Sequence, residues 1–244
     1  TRPLLYELAA WQPSLTGLCY DDALFIKGFL LNAASEIRRL AASDSLASEK
    51  MEELRAWHRR LAAEYVRPVS ERKNVTRTVA GYAQAVQKTT WQEVQQALQP
   101  GEAAVEFVHY QMADAEDSTM YAALVVRPGW PQPRWVALFE EKKLAALLSA
   151  SQGENKAEWI QNLYAGDRYT RLYDLVWQPL EAVLQDVTTV HYSVSGLLHR
   201  IPLDAVSIPP LLRGEERSET LSDRYQLLRL NSTRSLAHPV SPSV

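Results

Sequence analysis

Apolar positions change their period near position 100 of this chain, from about every third or fourth residue before it to alternate residues just after it. In Asp21–Leu40 the apolar set Leu24, Phe25, Phe29, Ala33, Ile37 and Leu40 recurs at helical spacing, with Gly28 as its weak point. The Asp21-Asp22 pair stands where acidic residues favour a helix N-terminus. A second helix is expected over Ser48–Val66, where Met51, Leu54, Leu61 and Tyr65 share a face and Pro68 ends the run. A third, Val75–Val86, aligns Val75, Val79, Tyr82 and Val86. Thr90-Trp91-Gln92-Glu93 then reads as a capping box opening a short helix closed by Pro100-Gly101.

From Glu102 the pattern becomes that of a strand with apolar residues on both faces, and so of a buried strand, through Tyr110. Tyr121–Arg127 and Arg134–Phe139 read as two further strands of a hairpin turned by the proline-rich segment 128–133, after a mobile acidic loop at Ala113–Ser118. Helical pattern returns over Glu140–Ala150 and Lys156–Gln185, the latter divided at Pro179. Val187–Ser193 is a strand, and a Ser195-Gly196 turn leads to a short helix opening on Pro202. Ile208–Ser222 reads as a loop, Arg224–Leu230 as a strand and Asn231-Ser232-Thr233 as a helix cap. The expected fold class is therefore mixed α/β: an N-terminal helical region, then a small β-sheet with helices.

Composition narrows the function classes. The chain has 244 residues, 46% of them hydrophobic, and a net charge of −3, so it suits a folded core and gives no electrostatic basis for nucleic-acid binding. No apolar run reaches the ~20 residues of a membrane helix, and the N-terminus lacks a signal peptide's regions, so a cytoplasmic protein without a membrane partner is expected. A single cysteine, Cys19, excludes an internal disulfide framework. No metal-ligand spacing appears among the histidines and acids, and no cofactor is expected.

Cys19 precedes a helical segment and reads as a small buried hydrophobe rather than a nucleophile. His109 and His191 lie within strands and read as hydrogen-bonded strand residues. Ser195, His199 and Asp204 have the residue types of a hydrolase triad, but lack the G-x-S-x-G glycines and lie too close in sequence to converge. The seven tryptophans are spread along the chain, which suits packing better than a base-stacking platform.

Thr189–Val206, TVHYSVSGLLHRIPLDAV, resembles the opening of a CHAT domain, the caspase-like peptidase module of bacterial proteins that usually carry tetratricopeptide repeats upstream. Tyr20–Asn32 is similar to the segment after the last repeat in such proteins. Trp91–Val108 resembles the entry into the pre-catalytic sheet, Leu172–Leu180 the helix leading to the opening strand, and Ser222–Leu236 the strand and cap that come after it. The resemblance implies three segments: a helical post-repeat connector at 1–100, a pre-catalytic sheet with helices at 101–188, and the first part of a caspase-like α/β unit, truncated, at 189–244. It also implies a catalytic His and a nucleophilic Cys, both downstream of the segment matched by Ser222–Leu236, where this chain has no counterpart. His238 comes too soon after that segment to be the catalytic base.

The chain is thus expected to be a fragment of a longer cysteine endopeptidase and to show no proteolysis alone. His199, Arg200 and Asp204 are the residues that would line a substrate cleft at the carboxyl edge of the sheet. Partners would be a protein or peptide substrate, or a regulatory protein reached through the repeats. The alternative is a non-catalytic protein–protein interaction scaffold. A sheet lacking its remaining strands is expected to expose an edge at the strands near Val187 and Arg224.

Overall fold

The structure is a computed structural model that describes residues 2–28, 89–113, 115–149, 155–164, 169–209 and 219–238. Contacts divide the chain into two units, residues 1–24 with 89–244, and residues 25–88. The helices expected over Ser48–Val66 and Val75–Val86 lie outside the described residues, as does the expected helix beyond residue 28.

The first unit is built around one five-stranded mixed sheet in the order β3-β2-β1-β4-β5, with β1 Glu102–Met112, β2 Ala115–Val126, β3 Arg134–Glu140, β4 Thr189–Ser193 and β5 Gln226–Arg229. β1, β2 and β3 pair antiparallel, whereas β4 pairs parallel to both β1 and β5. The period-two pattern of β1 serves two cores. Ala103, Val105 and Phe107 pack on one face with Val190, Tyr192, Trp177 and the helices Glu141–Leu148, Lys156–Tyr164 and Tyr169–Val176. Ala104 and Val108 pack on the other with Tyr6, Cys19, Tyr20, Leu24 and Val94, carried by helix Arg2–Ala9, the helical residues 16–24 and helix Trp91–Ala97. Burial on both faces explains the near-continuous apolar run.

Local chemistry decides several boundaries. The capping box forms as the sequence predicts: Glu93 N–H donates to Thr90 Oγ1 at 3.4 Å and Thr90 N–H donates to Glu93 Oε2 at 2.7 Å. The helix through Asp21 starts at residue 16, so Asp21 is not at its N-terminus; its carboxylate instead accepts the Trp91 N–H at 2.7 Å. Burial, the largest influence, raises the Asp21 pKa, and the Trp91 hydrogen bond opposes it. Pro179 sits in the first turn of a 3₁₀ helix, Gln178–Val183, where its missing N–H costs nothing.

Four expectations are corrected. The acidic segment is not a loop throughout: β2 begins at Ala115, because backbone pairing with β1 continues to Gln111↔Thr119 and, past a bulge, Met112↔Ala115. The Pro202 helix is a single 3₁₀ turn, Leu203–Ala205, preceded by a longer one at Gly196–Arg200. The loop expected to run through Ser222 ends earlier, in helix Leu221–Arg224, opened by a second capping box between Thr220 and Asp223. Of the two strands expected to expose an edge, β4 is paired on both sides and only β5 is an edge.

Candidate functional site

The carboxyl ends of the parallel strands β4 and β5 gather most of the polar side chains that sequence reasoning singled out, and α/β sheets place their ligand sites at such ends. β4 ends at Ser193, beside Glu106 of β1. The chain then turns at Gly196, whose φ of 55° lies in the left-handed region. A Cβ built there would stand 2.0 Å from the Tyr121 hydroxyl oxygen, so only glycine fits.

Tyr121 holds that turn. Its hydroxyl accepts the Leu197 N–H at 2.8 Å and donates to Glu141 Oε2 at 2.7 Å. Burial first, then the bond to Glu141, raise its pKa well above the ordinary tyrosine value. Phe139 and His109 flank its ring, with centroids at 4.8 and 5.7 Å. Tyr121 and Glu141 were not anticipated from sequence, since they lie 76 and 56 residues from Leu197 and no local pattern links them to the turn.

The three predicted cleft residues are held differently. Asp204 Oδ1 accepts from the Tyr192 hydroxyl at 3.2 Å. Burial and the Asp204 charge push the pKa values of Tyr192 and Tyr164 up to about 12. His199 Nδ1 lies 3.1 Å from Nη2 of Arg229, the last residue of β5. Because a guanidinium only donates, Nδ1 accepts, and this bond requires a neutral imidazole that carries its proton on Nε2. Arg200 is exposed at the end of its 3₁₀ turn. The Ser195 hydroxyl oxygen is buried without a hydrogen-bond partner, so Ser195, His199 and Asp204 form no triad.

Behind this edge lies a fully buried polar cluster. Glu106 Oε1 accepts from Thr233 N–H at 2.6 Å, Thr233 Oγ1 at 2.7 Å and Ser232 Oγ at 3.3 Å. The Tyr20 hydroxyl stands 2.9 Å from Thr233 Oγ1; since the Thr233 proton is engaged by Glu106, Tyr20 is the donor there. Burial and then the Glu106 charge raise the Tyr20 pKa. Asn231-Ser232-Thr233 therefore does precede a helix, Arg234–Ala237, but Thr233 spends its hydroxyl on Glu106 rather than on the helix end. The isolated acid within β1's apolar run was the available signal for this cluster.

The remaining candidates are structural. His191 Nε2 is buried 3.6 Å from Glu102 Oε1 and has no hydrogen-bond partner among the described residues, so the bond expected of that strand histidine does not form at Nε2; His238 Nε2 lies 3.0 Å from Thr89 Oγ1. Among the described residues no group of three His, Cys, Asp or Glu side chains could hold a metal ion, and no helix is long and apolar enough to cross a membrane. Cys19 is fully buried, and burial followed by the nearby Asp22 charge pushes its pKa up to about 12. At pH 8 a thiol-alkylating reagent is expected to label Cys19 only after denaturation; rapid labelling of the native chain would contradict the packing described. The folded pKa is raised above the unfolded value of about 8.5. The thiol's contribution to stability is therefore complete below that pH and is lost as pH climbs toward 12.

Compared with protein-family models, curated proteins and solved structures, the chain matches none.

Proposed function

We propose that this chain is the N-terminal, non-catalytic portion of a cytoplasmic CHAT-type caspase-like cysteine endopeptidase, linking a helical repeat array to the protease and supporting a catalytic half encoded beyond residue 244. The observation that carries the reading is the β4–β5 parallel pair with its clamped Gly196 turn. That turn directs the 196–205 segment, with His199, Arg200 and Asp204, to the carboxyl edge of the sheet, where a substrate cleft of such an enzyme would lie. The dyad itself would come from the other half, in which a Cys thiolate attacks the peptide carbonyl and a His carries the proton.

The test is to read the coding sequence on both sides and express the chain with its downstream segment. Expected are helical repeats upstream, and downstream a His and then a Cys, each at a strand end. The chain alone should cleave nothing, and the extended protein should cleave in a manner abolished by replacing that Cys with Ala. A stop codon after Val244 would overturn the reading. A second reading, a non-catalytic interaction scaffold, is favoured by one observation: Leu4, Leu8, Trp11 and Leu18 of the N-terminal helical segment are exposed, Trp11 to 86%.

A further inference from the structure

β5 is the outer strand of the sheet among the described residues, and the side it turns away from β4 has a definite chemistry. The Gln226 N–H donates to the Thr188 carbonyl and the Leu230 N–H to the Tyr192 carbonyl, both at 2.8 Å. By alternation, Leu227 and Arg229 turn their N–H and C=O groups away from β4, toward the open side. The strand reads Gln-Leu-Leu-Arg and carries no acid. Arg224, just before it, is neutralised by Glu181 at 3.0 Å and Glu219 at 3.5 Å. Arg229 touches His199 instead and, among the described residues, has no carboxylate within ion-pair distance. Among the described residues, the outward backbone groups of β5 thus end in a cation without a counter-charge.

We propose that the outer edge of β5 takes up an extended, acidic peptide segment as an added strand, with a peptide carboxylate seated on the Arg229 guanidinium. Main-chain pairing with Leu227 and Arg229 would supply the alignment, and the charge-assisted bond would supply the selectivity. Charge also argues against a second copy as occupant. Two β5 strands meeting edge to edge would bring two such arginines into one interface with no acid from either strand. Four residues a side also fall well short of the ~800 Å² per partner of a stable dimer. The test uses the 244-residue chain itself, so its outcome does not depend on the peptidase reading.

The 244-residue chain is titrated calorimetrically with an acetylated, amidated hexapeptide of alternating valine and glutamate, and with the same peptide carrying glutamine for glutamate. The glutamate peptide should bind at least about tenfold more tightly than its glutamine counterpart, and more weakly as salt is added. Arg229→Gln, a change at an exposed position, should cost about tenfold in affinity for the glutamate peptide and leave the glutamine peptide unaffected. Leu227→Pro, which removes an outward N–H that the β4 pairing does not use, should abolish binding of both while the circular dichroism spectrum is retained. No binding of the glutamate peptide, equal binding of the two peptides, or full affinity in Arg229→Gln would each overturn the proposal. So would a concentration-dependent dimer in sedimentation that blocks the peptide, since the occupant would then be a second copy.

Discussion

Replacing Gly196 with alanine is expected to destabilise the fold by roughly 3–5 kcal/mol. Two costs add. A non-glycine residue at a φ of 55° loses about 1 kcal/mol or more by itself. The new Cβ would also stand 2.0 Å from the Tyr121 oxygen and 3.0 Å from its Cζ. The tyrosine cannot retreat, because it is 1% exposed, stacked on Phe139 and bonded to both Glu141 and the Leu197 amide. Tyr121→Phe removes the colliding oxygen and should cost about 1–2 kcal/mol alone, through the bonds lost. The double variant should therefore be more stable than the two single losses predict. Urea unfolding of the four proteins measures this directly. A Gly196→Ala loss below about 1 kcal/mol, or strict additivity with Tyr121→Phe, would show that the turn is not clamped as described.

Glu106→Ala is expected to cost about 2–4 kcal/mol, because it strands the Thr233 amide, the Thr233 hydroxyl and the Ser232 hydroxyl in a buried region. Glu106→Gln keeps one acceptor oxygen and should lose about half as much. Thr233→Val removes the hydroxyl that donates to Glu106 and accepts from the buried Tyr20 hydroxyl, and should cost about 1–3 kcal/mol. Combined with Glu106→Ala it should cost less than the sum of the two, since the Thr233–Glu106 bond is already gone and only the loss of the Tyr20 acceptor is added. Hydrogen exchange gives a second readout: the amides of Arg234–Ala237 should lose protection in Glu106→Ala well before those of β1 and β2. Uniform loss across the sheet would mean that Glu106 supports the core generally rather than tethering the segment after β5.

How far the fold could be read in advance differed by element. Helix Trp91–Ala97 was legible because its capping box closes within four residues, and β1 because an apolar run buried on both faces needs no partner to be recognised. β2 was underestimated: the polarity of residues 113–118 suggested a loop, while pairing to an already ordered strand supplied hydrogen bonds that composition cannot reveal. After Asn231-Ser232-Thr233 the expected helix is present, but Thr233 does not cap it, because its hydroxyl and amide go to Glu106, 127 residues away. Of the candidate site, His199 and Asp204 were named from the turn and its position. Arg229 and Tyr192, which hold them, come from β5 and β4 and became visible only once those strands were placed side by side.

Periodicity, caps and turn residues are short-range, and they alone determined the mixed α/β class, the position of most described elements and the burial of Cys19 as an inert thiol. Sheet order, the parallel setting of β4, the lock of Tyr121 on Gly196 and the burial of Glu106 belong to the tertiary structure. Each is a contact between residues far apart in the chain, and its energy exists only when the whole sheet has closed around it.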